Sequence, residues 1–308
     1  MNYMTEVGKK MWLLGIISSL VLPCLAQTFH RIDTLPQPVG TAHTFLNIEI
    51  PSGETFFKSS GHCGTSLYQL SSLDSMSRYE VFSETDPHGN FLATVRMRQP
   101  DKQQSNRSLT AAPNFRITEK LTELDTYSEP DAFVSEFNPD PSTSTDLYVD
   151  LGVGATRMDL SGMTLHNVSV NSAFSDVTIA YSSPNQMEME EMDIHVASAD
   201  VILKNIEQAK AKLVTVRNDM GETKIILGAG QKPGSTIFVQ SGVGNCVLVL
   251  DKDHPVELVL KTGFFSKVDL PESYTKASKG IFHNPSKSTT RTKIICNLDF
   301  GNVSVMEQ

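Results

Sequence analysis

Few residues of this chain have the types that chemistry needs, and their spacing limits what each could do. Gly61-His62-Cys63-Gly64 sets an imidazole beside a thiol, the composition of a nucleophile with its base or of half a metal site. No second close His or Cys pair accompanies it and the remaining histidines lie singly, so a surface turn is the reading. Gly152-Val153-Gly154, Gly228-Ala229-Gly230 and Gly242-Val243-Gly244 start like nucleotide loops, yet each lacks the third glycine at its offset, and Gly234-Ser235-Thr236 lacks the phosphate-loop lysine. Met187-Glu188-Met189-Glu190-Glu191-Met192-Asp193 is acidic and soft, and reads as the solvated variable side of a repeat. Lys276, Lys279, Lys287, Arg291 and Lys293 lie in a stretch without an acid and form the candidate patch for an anion or a partner. Sugar cleavage needs carboxylates paired across one face. The outward positions expected here, Asp150, Ser169, Asp193, Thr215 and Phe238, repeat no such pair, and the single tryptophan, Trp12, lies near the N-terminus. No catalytic, cofactor-binding or metal-ligating residue is assigned, and the chain reads as a non-enzyme that needs no cofactor.

The elements that must carry these residues are set by a repeat. Short turns recur at Val153-Gly154-Ala155, Phe174-Ser175-Asp176, Ser198-Ala199-Asp200, Met220-Gly221-Glu222, Val243-Gly244-Asn245, Phe265-Ser266-Lys267 and Phe300-Gly301-Asn302. Their third residues lie 21, 24, 22, 23, 22 and finally 35 positions apart. The middle residue is always small: Gly154, Ser175, Ala199, Gly221, Gly244, Ser266 and Gly301. Eight positions before the third residue stand Leu147, Val168, Met192, Val214, Ile237, Val259 and Ile294, and three after it Met158, Ile179, Leu203, Ile225, Leu248, Leu270 and Val305. A further column holds Val149, Val170, Ile194, Val216, Val239 and Cys296, with Lys261 as its exception. Apolar residues at spacing two on both sides of a small turn residue describe two strands per coil, and one coil cannot bury its own apolar face. The expected fold is therefore all-β, a β-solenoid of coils of about 22 residues over 146–308, with an insertion at 271–291.

Upstream, Leu46-Asn47-Ile48 leads to Gly53-Glu54-Thr55 with the same offsets, a lone further copy. Tyr79 to Met97 alternates around Asp86-Pro87-His88-Gly89-Asn90 as a hairpin would, whereas Glu119 to Asp146 is acidic and rich in Pro, Ser and Thr. Residues 27–145 are expected to form an irregular β cap for the N-terminal end of the array. At the other end the coil from Ile294 to Val305 finishes three residues before the C-terminus, so 271–291, with Tyr274, Ile281 and Phe282, is expected to fold back over it; an end-to-end dimer is the alternative to a monomer. Cys246 and Cys296 fall on inward columns, in coils expected to be too far apart for a bond.

Residues 1–26 read as an export signal: Lys9 and Lys10 precede an apolar run from Met11 to Leu22, and cleavage is expected between Ala26 and Gln27. Removing Lys9, Lys10 and Glu6 leaves 24 basic and 34 acidic residues, a net charge of about −10 against −9 for the whole chain, which repels nucleic acid. No later apolar stretch reaches transmembrane length, so an exported, periplasmic, extracellular or envelope-associated protein is expected.

Thr145-Asp146-Leu147-Tyr148-Val149-Asp150-Leu151-Gly152-Val153-Gly154-Ala155, followed by Met158-Asp159-Leu160-Ser161-Gly162-Met163, resembles the toast-rack family of bacterial envelope proteins, related to the C-terminal domains of cell-wall-active antibiotic response proteins. Leu46-Asn47-Ile48-Glu49-Ile50-Pro51-Ser52-Gly53 and Phe137-Asn138-Pro139-Asp140-Pro141 fit the same likeness. The resemblance implies a β-solenoid of the cell envelope without an active site. The function expected is a non-catalytic structural or binding module whose partner is an envelope protein or glycan; the alternatives are a carbohydrate-active β-helix enzyme and a glycan-binding adhesin.

Overall fold

The computed structural model describes residues 30–36, 43–59, 66–72, 79–97, 132–137, 143–228, 234–286 and 288–308. The export segment with Ala26 and Gln27, the His62-Cys63 pair, Lys287 and most of the acidic 119–146 stretch lie outside the described residues. Six strands precede the array: β1 (His30–Pro36), β2 (His43–Ser59), β3 (Ser66–Ser72), β4 (Tyr79–Thr85), β5 (Phe91–Met97) and β6 (Ala132–Phe137). Then come the long bent strands β7 (Ser144–Asp159) and β8 (Leu165–Ala180), and the two-strand coils β9 (Met189–Val196) with β10 (Val201–Lys204) and β11 (Ala211–Met220) with β12 (Thr223–Leu227). The chain continues as β13 (Thr236–Val243), β14 (Cys246–Leu250), β15 (Val256–Thr262), β16 (Lys267–Asp269), β17 (Thr275–Ser278), β18 (Ile281–His283), β19 (Thr292–Phe300) and β20 (Asn302–Glu307).

The coils stack as parallel ladders, one per arm, with like residues over like. Leu147, Val168 and Met192 pair in succession, as do Met158 with Ile179 and Val177 with Val201. These inward side chains are buried and form one continuous core from Leu46 to Val305. The fold is an all-β solenoid. The upstream copy is a full coil, because β2 pairs with β7 from His43↔Ser144 through Gly53↔Gly154 to Lys58↔Asp159. Both arms of β2 are continued outward, one by β5 and its antiparallel partner β4, the other by β6, β3 and β1. The hairpin of β4 and β5 closes on Asp86, whose carboxylate accepts the backbone N–H groups of His88 and Asn90, both at 2.8 Å.

The C-terminal end departs from sequence order. β19 and β20 do not lie outermost: they pair with β13 and β14 on one side and with β15 and β16 on the other. The last coil of the chain is thus inserted between the two coils that precede it. The side chains give a reason. The inserted coil points Ile294, Cys296, Leu298, Val303 and Val305 inward, all at most 5% exposed, whereas the second arm of the 256–269 coil has only Val268, which is 41% exposed. An interior place offers two neighbours and the end only one, and each aliphatic side chain fully buried is worth roughly 1.5–3 kcal/mol. The better-filled coil therefore goes inside, and the long 271–291 segment supplies the crossover that a parallel return requires.

Three expectations are corrected by this order. The 271–291 segment does not cover the coil at 294–305; its hairpin, β17 with β18, lies antiparallel along β15, the outermost coil, with Tyr274 and Phe282 partly buried against the core. Cys246 and Cys296 are free and buried as expected, but they sit in adjacent coils with their sulfurs 3.8 Å apart. The hydrogen bond with Cys246, together with burial, pushes the Cys296 thiol well above its ordinary pKa. Finally, Lys261 is no exception inside a core column. Leu258 pairs with Ile294 and Leu260 with Cys296, one residue out of the expected register, so Val259 and Lys261 face outward. The extra residue is in the turn, where Ser266 N–H donates to the Gly263 carbonyl at 3.2 Å, and Ser266 is not equivalent to the other small turn residues.

Candidate binding surface

At each coil the chain bends from one arm to the other across the small turn residue, and the neighbouring coil presses close there. A Cβ on Gly221 would lie 2.0 Å from the Ala199 carbonyl oxygen, and one on Gly244 would lie 1.8 Å from that of Gly221. Both glycines also have positive φ, 138° and 156°, which disfavours any L side chain. The turns are bonded coil to coil: Ala199 N–H donates to Met220 O at 2.9 Å, Gly221 N–H to Val243 O at 3.0 Å and Gly244 N–H to Phe300 O at 2.9 Å. The residue after the small one adds a second ladder. Asp176 Oδ1 accepts from Asp200 N–H at 3.0 Å, Asp200 Oδ1 from Glu222 N–H at 2.8 Å, Asn245 Oδ1 from Asn302 N–H at 3.2 Å and Asn302 Oδ1 from Lys267 N–H at 3.3 Å. Burial raises the Asp176 carboxyl above the usual range, against the pull of its bond from Asp200.

With its backbone tied this way, the residue before the small one is forced to the outside of the bend. Val153, Phe174, Met220, Val243 and Phe300 occupy that place, each between 53% and 59% exposed, and only Ser198 interrupts the apolar series. Their registers run directly from one coil to the next, Val153↔Phe174, Met220↔Val243 and Val243↔Phe300. At about 4.8 Å per coil the five steps from Val153 to Phe300 make a ridge of roughly 24 Å. It ends at the widened turn of the outermost coil, where Phe264 and Phe265, 94% and 76% exposed, meet edge to face with ring centroids 5.1 Å apart. Scattered exposed apolar residues are ordinary, but here they align in two runs, Val153 with Phe174 and Met220 with Val243 and Phe300, which makes the ridge the candidate interaction site. The signal was present in the sequence, since six of the seven turns begin with Val, Phe or Met. It stays silent until the bend is known to turn that position outward.

The residues singled out by spacing are distributed differently. In the basic segment, Arg291 is spent within the loop: its guanidinium donates to Val256 O at 3.1 Å, Asn284 O at 3.3 Å, Asn284 Oδ1 at 3.0 Å and Ser286 O at 2.5 Å. Lys293 pairs with Glu257 at 3.5 Å, while Lys276 and Lys279 are exposed. The acidic Met187–Asp193 stretch is largely strand β9 rather than the variable side of a coil: Met189 and Met192 enter the core, Glu190 pairs with Lys212, and Asp193 lies 3.8 Å from Arg217. The outward column of Ser169, Asp193, Thr215 and Phe238 takes Tyr148, not Asp150, before Ser169 and continues to Ile295. Two histidines expected to lie singly, His43 and His166, are brought to opposite oxygens of Asp146.

These coils define the class of protein. Residues 137–202 match the model of the N-terminal domain of toast_rack, DUF2154, the family whose likeness was seen in the sequence. A solved structure of a candidate cell adhesion protein from Clostridium sporogenes ATCC 15579 is similar at 13% identity and a TM-score of 0.41, covering 91% of this chain and 100% of the other. No curated protein matches the sequence. Among the described residues no helix is long and apolar enough to cross a membrane.

Proposed function

We propose that the protein is an exported, non-catalytic module of the bacterial cell envelope that holds a protein partner along its apolar ridge. One observation carries this reading: Val153, Phe174, Met220, Val243 and Phe300 stand at the same place on five of six consecutive stacked turns, Ser198 holding the other, each more than half exposed on a backbone hydrogen-bonded from coil to coil. A surface ordered before binding loses little further entropy when a partner docks, so its apolar area converts efficiently into affinity. The chemistry of the ridge favours protein over glycan. Phe174 and Phe300 offer a sugar ring a flat face, but Val153, Met220 and Val243 do not, none of the five hydrogen-bonds hydroxyls through its side chain, and an interface core is apolar with Met and aromatic residues enriched. The partly buried carboxylates behind the ridge are engaged with backbone, Asp176 with Asp200 and Asp200 with Glu222.

The test compares the mature chain with a Phe174→Ser/Val243→Ser/Phe300→Ser variant for binding to washed envelope fractions, after circular dichroism shows equal folding. Binding should fall at least about tenfold in the variant, and protease treatment of the envelopes should abolish it while glycan digestion leaves it unchanged. Equal binding by the two proteins would overturn the ridge as the docking surface.

A further inference from the structure

We propose that His43, Asp146 and His166 form a site for a divalent transition ion, zinc foremost, which fastens the first three coils of the array to one another. The three residues come from β2, β7 and β8, successive coils separated by long stretches of sequence, and their ligand atoms all lie within 4.8 Å of one another. Asp146 stands between the two imidazoles: Oδ2 lies 3.1 Å from His43 Nε2, and Oδ1 lies 3.3 Å from His166 Nδ1. Zinc binds imidazole nitrogen and carboxylate oxygen at about 2.0–2.2 Å in a tetrahedron, which sets neighbouring ligands about 3.3–3.5 Å apart. Each imidazole nitrogen is near that span from one oxygen of the carboxylate, and with one ligand atom per residue the set lies within 4.8 Å.

The backbone aims His166 there by a local irregularity. In the ladder between β7 and β8, Thr145 pairs with Leu165 and Asp146 with Asn167, so His166 is the extra residue of a β-bulge. Such bulges redirect a side chain, here onto the neighbouring strand's carboxylate. Burial is graded as an ion site requires: the Asp146 side chain is 8% exposed, His43 18% and His166 37%, leaving one open side for a fourth ligand.

The hydrogen bonds around the cluster also suit a cation. His43 turns its other ring nitrogen, Nδ1, to the Ser144 hydroxyl, the outer contact that fixes the orientation of a ligating imidazole. Asn167 Nδ2 donates to Asp146 Oδ1 at 3.0 Å and lies 2.9 Å from His166 Nδ1. In the tautomer that accepts from Asn167, His166 Nδ1 presents a lone pair beside Asp146; in the other it donates to Asp146 Oδ1 at 3.3 Å. An ion takes that lone pair in place of the amide proton, while Asn167 keeps its bond to the carboxylate. Two nitrogens and one oxygen suit zinc and its neighbours, not calcium or magnesium, which take oxygen ligands.

The experiment uses the whole mature chain, stripped with a chelator and titrated with zinc chloride by calorimetry and thermal melting, beside His166→Gln and His43→Gln variants checked for fold by circular dichroism. One zinc per chain should bind and raise the melting temperature, each variant should weaken binding at least about tenfold, and magnesium and calcium should do nothing. X-ray absorption at the zinc edge of the unaltered protein should show two imidazole ligands, a readout independent of any substitution. No zinc uptake, or uptake undiminished in both variants, would overturn the site.

Discussion

The middle of the array and its C-terminal end are built from the same repeat, yet they assemble by different rules. From β7 to β14 each coil stacks on the one before it in sequence, with register kept for a coil at a time: Val214↔Ile237, Val216↔Val239, Ile225↔Leu248. Beyond β14 the order breaks, and Ile237 and Val239 meet Ile294 and Cys296 instead of the coil that follows them. Repetition fixes what can pair but not which copy wins a place. Where neighbouring coils are equally filled, short connections decide. Where one is poorly filled, apolar burial decides, and the weaker coil becomes the edge. That edge is short and polar, Lys267-Val268-Asp269, and the other arm is covered by a hairpin, which protects the end of the sheet from pairing with another chain.

The sharpest way to break the comparison is at the turn that joins the two regimes. A Cβ on Gly301 would lie 1.5 Å from the Gly244 carbonyl oxygen, and φ there is 139°. Gly301→Val and Gly244→Val should each cost more than about 3 kcal/mol, through the clash and the unfavourable backbone, read as the midpoint of urea unfolding. Were the coils in sequence order, Gly301 would face the Ser266 turn and no such contact with Gly244 would exist. Unchanged midpoints would refute the stacking.

The next largest effect separates inside from edge. Ile294→Ala removes a fully buried side chain from the inserted coil and should cost about 2–4 kcal/mol, whereas Val268→Ala in the terminal coil should cost less than about 1 kcal/mol. A larger loss for Val268 than for Ile294 would mean that the 256–269 coil is the interior one. Amide exchange should agree, with β20 better protected than β16.

The smallest effect concerns the ladder of turn carboxylates in the middle of the array. Burial raises the Asp176 carboxyl in the folded protein, so its contribution to stability is complete below the ordinary carboxyl pKa and is lost as pH rises through the folded value. Asp176→Asn keeps an oxygen for Asp200 N–H, as Asn245 does for Asn302. The variant should gain less than about 1 kcal/mol near pH 8 and show a flatter pH dependence above pH 4, measured by thermal melting across pH. A loss of stability at pH 8 would show that the charge itself strengthens the ladder.

The sequence by itself determined the coil. Period-two alternation around a small residue demands two strands and an inward face, and Leu147, Val168, Met192, Val214 and Ile237 are all buried where that pattern puts them. It also exposed the upstream copy and the hairpin around Asp86, because both depend on local spacing and turn chemistry. Only the tertiary structure decided the order of the last two coils, since Ile294 and Val259 are equivalent on a one-dimensional pattern, and neither the shift of register to Leu258 nor the number of neighbours the rest of each coil can satisfy is written there. The ridge and the His43, Asp146 and His166 cluster were hidden for a related reason. Val153 and Phe174 become a surface, and residues 43, 146 and 166 become neighbours, only after stacking turns the same place in successive coils into a column about 4.8 Å apart.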